Sequence, residues 1–363
     1  MKLGFVGLPN VGKTTLFNAL TGAAAECSAY PYTTTESNIG VVSVPDPRLD
    51  ALALIFNPKK ITPATAEFVD IAGLAPGASR GEGLGNRFLA SIREVDAVLH
   101  VVRCFGDPNV LHIAGGVNPA RDRESVNLEL CMADIEVVEK RIQRSEKLAK
   151  GDKAFLHEAA LFSALKEHLD QGLTARSFAS SGLDTEIIET CPLLTNKPIL
   201  YCANMSEEDF LRRDQYAPYL DLIASAEEEG ASVFPICANL EQEIMQMEPE
   251  DRAVFLADLG MTLSARDRLI QLSYDLMGLM SFLTAGTPEV RAWTIKKGTK
   301  APAAAGKIHK DIQRGFIRAE VVSFGALMEC GSMAAAKERG VFQVEGKEYV
   351  MRDGDVVHFR FNV

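Results

Sequence analysis

The chain has 363 residues, of which 47% are hydrophobic and 24% charged, and its formal net charge is −11. This is the composition of an ordinary soluble protein, and the length suits two or three domains. The acidic balance excludes a protein that coats nucleic acid with its whole surface, so any RNA contact requires a local basic patch.

Membrane and disulfide classes are also disfavoured. No uninterrupted apolar run is long enough to span a bilayer, and the apolar stretch in MKLGFVGLPN is too short for a signal peptide. The seven cysteines form no CxxC pair. We therefore expect reduced thiols in a cytoplasmic protein, rather than disulfides or zinc ligands.

Apolar, β-branched runs alternate with helical patterns along most of the chain, which predicts βαβ units and a parallel sheet. A helix is predicted from about Gly12 to Leu20, directly after the first strand. The predicted strands of the sheet are Lys2–Val6, Ile39–Val44, Glu67–Ile71, Ala97–Val102, Pro198–Ala203 and Ser232–Cys237.

The alternation stops between residues 125 and 196. Apolar residues recur there at a spacing of three to four from Leu128, and the stretch EKRIQRSEKLAKGDK is highly charged. Such a pattern predicts a long amphipathic helix, a turn at Gly151–Asp152 and a returning helix. An inserted αα-hairpin is the simplest interpretation, and ordinary helices packed on the sheet are the alternative.

The remaining segments divide into helices and a second set of strands. Helices are predicted over 208–229, 242–259, 266–279, 303–312 and 324–336, and strands over 290–296, 316–322, 348–351 and 356–361. The last part of the chain therefore predicts a small α+β domain. We expect a nucleotide-binding domain over 1–124 and 197–277, a helical insertion over 125–196, and a C-terminal domain over 278–363.

A glycine-rich loop follows the first predicted strand and begins the first predicted helix. Residues Gly7 to Thr14, GLPNVGKT, match the pattern G-x-x-x-x-G-K-[ST]. Its backbone N–H groups can surround phosphate oxygens at the positive end of the helix. Lys13 can reach the β- and γ-phosphates, and the Thr14 hydroxyl can bind Mg²⁺. The strand–loop–helix context favours a phosphate site over a structural glycine turn.

A second motif, Asp70-Ile71-Ala72-Gly73, ends an apolar strand. A carboxylate at this place can hold the water shell of Mg²⁺, and the Gly73 amide can contact a γ-phosphate. Leu74 follows, where Ras-like enzymes have a Gln that orients the attacking water. Leucine cannot do this, so we expect slow hydrolysis or help from another group.

Two loops have the composition of nucleotide-dependent switches. Tyr30-Pro31-Tyr32-Thr33-Thr34-Thr35 could place a threonine on Mg²⁺, although a plain surface loop is the alternative. The glycine-rich stretch after Leu74 has the conformational freedom that a second switch needs.

The strand PILYCAN ends in Asn204-Met205-Ser206-Glu207, where GTPases have N-K-x-D. Met205 replaces the lysine and Glu207 the guanine-binding aspartate. The extra methylene of Glu207 displaces the carboxylate, so guanine selectivity is not expected. Ala238 lies in a second base-side loop, Cys237-Ala238-Asn239.

These motifs resemble the YchF subfamily of Obg-like ATPases. The matching segments are GLPNVGKTTLFNALT, PYTT, VDIAGLAPGASRGEGLGNRFL and NMSE, and the order of domains is similar over essentially the whole chain. The resemblance implies a Ras-like P-loop domain with a helical insertion and a C-terminal β-grasp (TGS) domain.

The resemblance also implies function. It predicts a slow ATPase with GTP as the weaker ligand, associated with ribosomes or with stress responses. Mg²⁺ would be bound by Thr14 and Thr34, and K⁺ near Asn10 could replace an arginine finger. The implied nucleotide contacts are Asn10, Val11, Gly12, Lys13, Thr14, Thr15, Asn204, Met205, Glu207 and Ala238, with Lys13, Asp70 and Gly73 in catalysis.

Basic residues are concentrated in one stretch of the C-terminal domain. It contains Arg291, Lys296, Lys297, Lys300, Lys307, Lys310, Arg314 and Arg318, with only Asp311 opposing them locally. This stretch and the helical insertion are the predicted contacts for a ribosome or RNA; no membrane or DNA partner is expected. For the basic stretch, the alternative is an ordinary solvated face. For the function of the whole chain, the alternatives are a true GTPase switch and a module that binds nucleotide without hydrolysing it.

Overall fold

The computed structural model describes residues 1–22, 38–73, 84–261 and 263–362. They form two compact units. The first unit comprises Met1–Val42 and Glu67–Arg266, and the second comprises Ser43–Ala66 and Asp267–Val363.

The first unit is built on a six-stranded sheet with the order β2-β4-β1-β5-β6-β7. From β4 to β7 the neighbouring strands are parallel. Every residue of β5, AVLHVVR, is buried, as expected for a central strand of a sheet that is covered on both faces. The strands are β1 Lys2–Val6, β2 Asn38–Ser43, β4 Thr65–Asp70, β5 Ala97–Arg103, β6 Ile199–Asn204 and β7 Ser232–Ile236.

Helices follow most of these strands, and the first of them begins and ends within a residue of the predicted bounds. Helix α1, Lys13–Thr21, begins after Gly12 and ends before Gly22, both in the left-handed conformation. Glycine takes that conformation without steric strain. The other helices of this unit outside the insertion are α3 Leu84–Glu94, α7 Glu207–Leu211, α8 Ala217–Glu227, α9 Ala238–Gln246, α10 Pro249–Asp258 and α11 Ala265–Leu276, the last continuing into the second unit.

The predicted αα-hairpin is present. Helix α4, Pro119–Ala149, has 31 residues, with Asn118 as its N-cap and Pro119 in its first turn. Helix α5, Ala154–Asp170, returns along it and is followed by α6, Leu183–Glu189. Apolar side chains of α4, α5 and α6 form a separate core around Val138 and Phe162.

The base of the hairpin is attached to the sheet by a buried polar cluster around Glu229. Arg123 of α4 donates to its Oε1 at 3.0 Å and Arg176 to its Oε2 at 2.8 Å. Thr174 and the Tyr201 hydroxyl of β6 also donate to this carboxylate. Because these donors come from separate segments, the cluster fixes the base of the hairpin against the parallel sheet.

The second unit has a mixed six-stranded sheet with the order β11-β10-β12-β8-β9-β3. Its strands are β3 Ile61–Thr62, β8 Leu279–Ala285, β9 Val290–Lys296, β10 Phe316–Ser323, β11 Gln343–Glu345 and β12 Asp355–Phe361. Its helices, apart from α11, are α2 Pro47–Phe56, α12 Ala301–Ile308, α13 Lys310–Arg314, α14 Phe324–Cys330 and α15 Met333–Glu338. Its core contains Phe282, Phe316 and Phe359.

Residues 43–66 join the second unit although they lie between β2 and β4 in the sequence. Strand β3 pairs in parallel with β9, and Arg48 of α2 donates to Asp353 at 2.7 Å. The boundaries drawn from the sequence placed this segment in the nucleotide-binding domain, because only the pairing of β3 with a distant strand reveals its position.

Several local predictions were wrong. Strand β8 was missed, because its apolar run continues directly from the pattern of helix α11. Residues 348–351 form no strand, although Val350 makes one bridge to Lys300. The helix predicted over 208–229 is divided into α7 and α8, and the one over 242–259 into α9 and α10. Pro218 and Pro249 lie in the first turn of the second helix of each pair, since proline is tolerated in a first turn and not inside a helix.

Three further observations concern the described part of the chain. None of its helices combines the length and apolarity required to cross a bilayer. It contains no cluster of three or more His, Cys, Asp and Glu side chains suited to a metal ion. The six cysteines within it are free, and Cys27 lies outside it.

Candidate nucleotide-binding site

The glycine-rich loop connects β1 to α1, as predicted, and its backbone depends on two glycines. Gly12 has a φ of 91°, and a Cβ there would lie 2.3 Å from Nδ2 of Asn204. Gly7 has a φ of 151°, and a Cβ there would lie 2.4 Å from the carbonyl oxygen of Val101. Asn10 also has a positive φ, 61°. Larger residues at Gly7 or Gly12 would therefore separate the loop from the strands behind it.

Lys13 is buried, with 8% of its surface exposed, and its side chain folds along the loop. Its Nζ donates hydrogen bonds to the carbonyl oxygens of Gly7 at 3.0 Å and Leu8 at 2.7 Å. Burial lowers the Lys13 pKa to about 8, while the nearby Asp70 carboxylate acts in the opposite direction. An anionic ligand at this loop would favour the protonated ammonium.

Gly73 lies beside this ammonium group. A Cβ at Gly73 would be 3.2 Å from Nζ of Lys13, so the residue's lack of a side chain permits the close approach. The structure therefore brings together Lys13, Asp70 and Gly73, the three residues predicted to act in catalysis.

Thr14 and Asp70 place two side-chain oxygen groups next to each other at the phosphate end. The Thr14 hydroxyl donates to Oδ2 of Asp70 at 2.8 Å. Asp70 ends β4 and is 4% exposed; burial raises its pKa, although the Thr14 hydrogen bond and Lys13 act in the opposite direction. Two hard oxygen atoms beside a phosphate-binding loop fit Mg²⁺, which keeps several waters and uses few protein ligands. Thr34, the other predicted ligand, lies outside the described residues.

Asn204 connects the glycine-rich loop, the phosphate end of the site, to the segment at Ala238, which we call the base end because the sequence predicts that it contacts the nucleotide base. Its Nδ2 donates to the Val11 carbonyl oxygen at 2.9 Å, and its Oδ1 accepts from the Ala238 amide at 3.1 Å. Met205, next in the chain, is 2% exposed, and its amide donates to the carbonyl oxygen of Ile236 at 2.8 Å. One asparagine side chain thus joins three segments that are distant in the sequence.

Residues 104–111, which were not identified from the sequence, form a wall of the same site. Arg103, at the end of β5, donates to the carbonyl oxygens of Phe105 at 3.1 Å, Val110 at 3.1 Å and Asp107 at 3.3 Å. Its guanidinium also lies 4.5 Å from the Phe105 ring centroid.

The only sign of this wall in the sequence is an arginine at the end of an otherwise apolar strand. Arg103 is 3% exposed, and the side-chain hydrogen bonds that satisfy it go to backbone carbonyl oxygens. The 104–111 wall also meets the glycine-rich loop, since Nδ2 of Asn10 donates to the Leu111 carbonyl oxygen at 3.1 Å.

These elements enclose a cavity of about 360 Å³. It is lined by Asn10, Gly12, Thr15, Phe105, Gly106, Asp107, Val110, Asn204, Met205, Ser206, Ala238 and Asn239. Glu207 is not part of this lining; it is exposed at the start of α7. The other predicted nucleotide contacts lie in the glycine-rich loop or along the cavity.

A parallel sheet, a phosphate loop before α1 and an aspartate at the end of the neighbouring strand together define a P-loop NTPase. Two family profiles match the chain. Residues 2–141 match MMR_HSR1, described as a 50S ribosome-binding GTPase, and residues 279–362 match YchF-GTPase_C, described as a protein of unknown function.

Known proteins give a more specific assignment. The Ribosome-binding ATPase YchF of Bacillus subtilis is 51% identical over 361 residues, covering 99% of each chain. The Escherichia coli O157:H7 protein of the same name is 47% identical over 364 residues, covering 100% of this chain and 99% of that protein. A solved structure of the Schizosaccharomyces pombe YchF GTPase has 37% identity and a TM-score of 0.86, covering 99% of this chain and 97% of that one. The chain belongs to the YchF family, which confirms the resemblance and the predicted fold class.

Proposed function

We propose that this chain binds Mg²⁺–ATP in the cavity and hydrolyses it slowly to ADP and phosphate, as a cytoplasmic ATPase that associates with ribosomes. The observation that carries the proposal is the Asn204 bridge, which joins a phosphate-binding loop to a base-sized cavity in one continuous site. The curated relatives in B. subtilis and E. coli are named ribosome-binding ATPases, in agreement with this function.

The base end favours adenine over guanine. Selective guanine binding needs a carboxylate to accept from the ring N–H and the exocyclic amine, and Glu207 is exposed outside the lining. Among the described residues of the lining, Asp107 is the one carboxylate, and its Oδ1 accepts from the Asn109 amide at 2.8 Å within its own loop. Phe105, Val110 and Met205 instead offer apolar surface to a purine ring.

The phosphate end supplies the chemistry. Water attacks the γ-phosphorus in line, and the bond to the oxygen bridging the β- and γ-phosphates breaks. Lys13 and the amides of the loop and Gly73 would stabilise the negative charge that develops. Thr14 and Asp70, with Thr34 as a further ligand, would hold Mg²⁺, which neutralises phosphate charge.

Two features affect the expected rate of ATP hydrolysis. Leu74, in the place of a water-orienting glutamine, supports slow hydrolysis. Nδ2 of Asn10 donates to Leu111, whereas Oδ1 has no hydrogen-bond partner in the described part of the chain. This oxygen is a suitable ligand for K⁺, so we include K⁺ activation in the proposal.

Nucleotide competition tests the proposal. Isothermal titration with ATP, GTP and their non-hydrolysable analogues, with and without Mg²⁺, should show tighter binding of ATP, and phosphate release should be faster with K⁺ than with Na⁺. Preferred binding of GTP would establish the GTPase alternative, which the names of the S. pombe structure and of the MMR_HSR1 profile favour. Binding without turnover, even with K⁺ and ribosomes, would establish a nucleotide-dependent binding module.

A further inference from the structure

The end of the α4–α5 hairpin carries a dense positive charge in an acidic chain. Residues 140–153 contain six cationic side chains and two acidic ones, whereas the whole chain has a formal net charge of −11. Arg141 is the one of the six that faces α5, where it pairs with Glu158 at 2.6 Å. The other five are exposed and have no ion-pair partner among the described residues: Lys140, Arg144, Lys147, Lys150 and Lys153.

Four of these cations form a row along the solvent side of α4. Lys140, Arg144, Lys147 and Lys150 are spaced by four, three and three residues, which places them on one side of a helix over about 15 Å. Ser145, fully buried and donating to Glu158, marks the opposite side of α4. We call these four residues the basic row.

Helix stability does not explain the basic row. Like charges at these spacings repel and weaken a helix. The negative end of the helix dipole favours cations only in the last turn, and Lys140 and Arg144 lie before it. Glu146 is close in sequence, yet it forms no ion pair with any residue that the structure describes. A surface selected for stability alone would alternate the two signs of charge.

The basic stretch of the C-terminal domain is different. Five of its eight cations pair with a carboxylate, and four of these five carboxylates lie outside the stretch itself. The other three, Lys296, Lys307 and Lys310, have no ion pair among the described residues, but they lie on three different elements, β9, α12 and α13, and form no row along one helix. The pairs are Arg291–Glu289, Lys297–Asp275, Lys300–Glu348, Arg314–Asp311 and Arg318–Glu320. Trp293 packs against the core and donates to Thr284, and Phe316 is buried, so neither is a free stacking surface.

We propose that the basic row binds the phosphate backbone of RNA and is the main RNA contact of this chain, ahead of the C-terminal domain. The proposal rests on the proposed function, in which the chain associates with ribosomes. Long cationic side chains in a row, without aromatic or amide groups between them, suit backbone contact without base reading. Binding should therefore depend on salt more than on sequence.

The test uses two full-length variants with the same change in net charge. One replaces the row (K140Q, R144Q, K147Q, K150Q), and the matched control replaces lysines of the C-terminal domain (K296Q, K297Q, K307Q, K310Q). Glutamine is a good helix former, so α4 should persist, and circular dichroism checks this. Binding to a fluorescent 20-base-pair RNA duplex is measured by anisotropy from 50 to 250 mM KCl, and binding to purified ribosomes by sedimentation.

The row variant should bind RNA at least about tenfold more weakly at 100 mM KCl. Its slope of log affinity against log salt should fall by about three to four in magnitude, since each phosphate contact contributes about 0.9. The control should keep the wild-type slope to within about one, and both variants should retain wild-type ATP hydrolysis.

Three results would overturn the proposal: an unchanged slope in the row variant, an equal loss in the control, or displacement of RNA by polyglutamate as readily as by competitor RNA. The last result would indicate an acidic protein partner. If the wild-type chain hydrolyses ATP and only these RNA results fail, the proposed ATPase function stands. If ATP is not bound at all, the proposed function fails separately.

Discussion

The phosphate end of the pocket is built from one short stretch of backbone, whereas the base end is assembled from three separate segments. Residues 7–15 supply the loop, the ammonium of Lys13 and the Thr14 hydroxyl, with Asp70 added from the end of the neighbouring strand and Gly73 from the residues that follow it. The base end needs residues 103–110, 204–206 and 238–239, which meet only in the folded chain.

The two ends should therefore respond differently to substitution. At the phosphate end, charge and backbone conformation are local, so single substitutions should have large effects on catalysis. At the base end, hydrogen bonds between segments hold the walls in place, so substitutions should change affinity and selectivity more than chemistry. Four of the five predictions below, ordered from the largest expected effect to the smallest, test this division, and one tests the pKa of Lys13 at the phosphate end.

Lys13→Ala should reduce kcat/KM for ATP by about 10³-fold or more, because it removes the ammonium that stabilises developing phosphate charge; loss of one such donor typically reduces the rate 10²- to 10³-fold. Steady-state phosphate release measures this. Lys59→Ala, which changes an exposed lysine of the second unit, is the control and should be nearly silent. A loss below tenfold for Lys13→Ala would place the chemistry elsewhere.

Lys13→Met should stabilise the nucleotide-free protein. Because the folded pKa, about 8, is below the ordinary value of 10.5, the unfolded chain binds more protons between these values and wild-type stability rises through that window. The variant's advantage, up to about 3 kcal/mol, should be complete below pH 8 and disappear near pH 10.5. Urea unfolding of both proteins at pH 7 and pH 10 measures the difference; an equal difference at the two pH values would contradict the assigned pKa.

Gly12→Ala should weaken ATP binding by about 100-fold, since the new Cβ would collide with Asn204 at 2.3 Å and force the loop away from the base end. Gly22→Ala is a matched control, because Gly22 has a similar left-handed φ of 67° with nothing within 4 Å of its Cβ. The control should lose about 1 kcal/mol of stability and bind ATP normally. Equal losses of ATP binding in both would attribute the effect to backbone strain alone.

Arg103→Gln should weaken ATP binding about tenfold and leave tripolyphosphate binding unchanged. It removes the hydrogen bonds that hold residues 105–110, and with them the position of Phe105, whose stacking on a base is worth about 1–3 kcal/mol. Titration calorimetry with both ligands separates the two ends of the pocket. Arg93→Gln, on an exposed helical position, is the control, and a parallel loss of tripolyphosphate affinity would show that residues 105–110 support the phosphate end as well.

Glu207→Gln should change ATP affinity by less than about threefold, because exposed substitutions rarely exceed 0.5 kcal/mol. The carboxylate lies outside the cavity lining, so its effect should be the smallest of the five. Competition between ATP and GTP gives the affinity and the selectivity together. A tenfold loss for ATP would show that the side chain reaches the base after all.

The sequence by itself determined the parallel sheet of the first unit, the hairpin and the phosphate end of the site. These features depend on short-range rules: apolar periodicity, the conformations open to glycine, and a lysine and threonine at fixed offsets in one loop. Strand β1 and the start of α1 were therefore located to within a residue. The hairpin followed from helical spacing alone.

Only the tertiary structure decided the base end, the position of residues 43–66 and the state of the surface charges. Asn204 bonds to a loop residue 193 positions away in the sequence, and β3 pairs with a strand more than 200 residues away. Whether a lysine is free or paired likewise depends on distant carboxylates, such as Glu348 beside Lys300. Sequence patterns report local backbone preference, whereas these features depend on which distant segments meet when the core is buried.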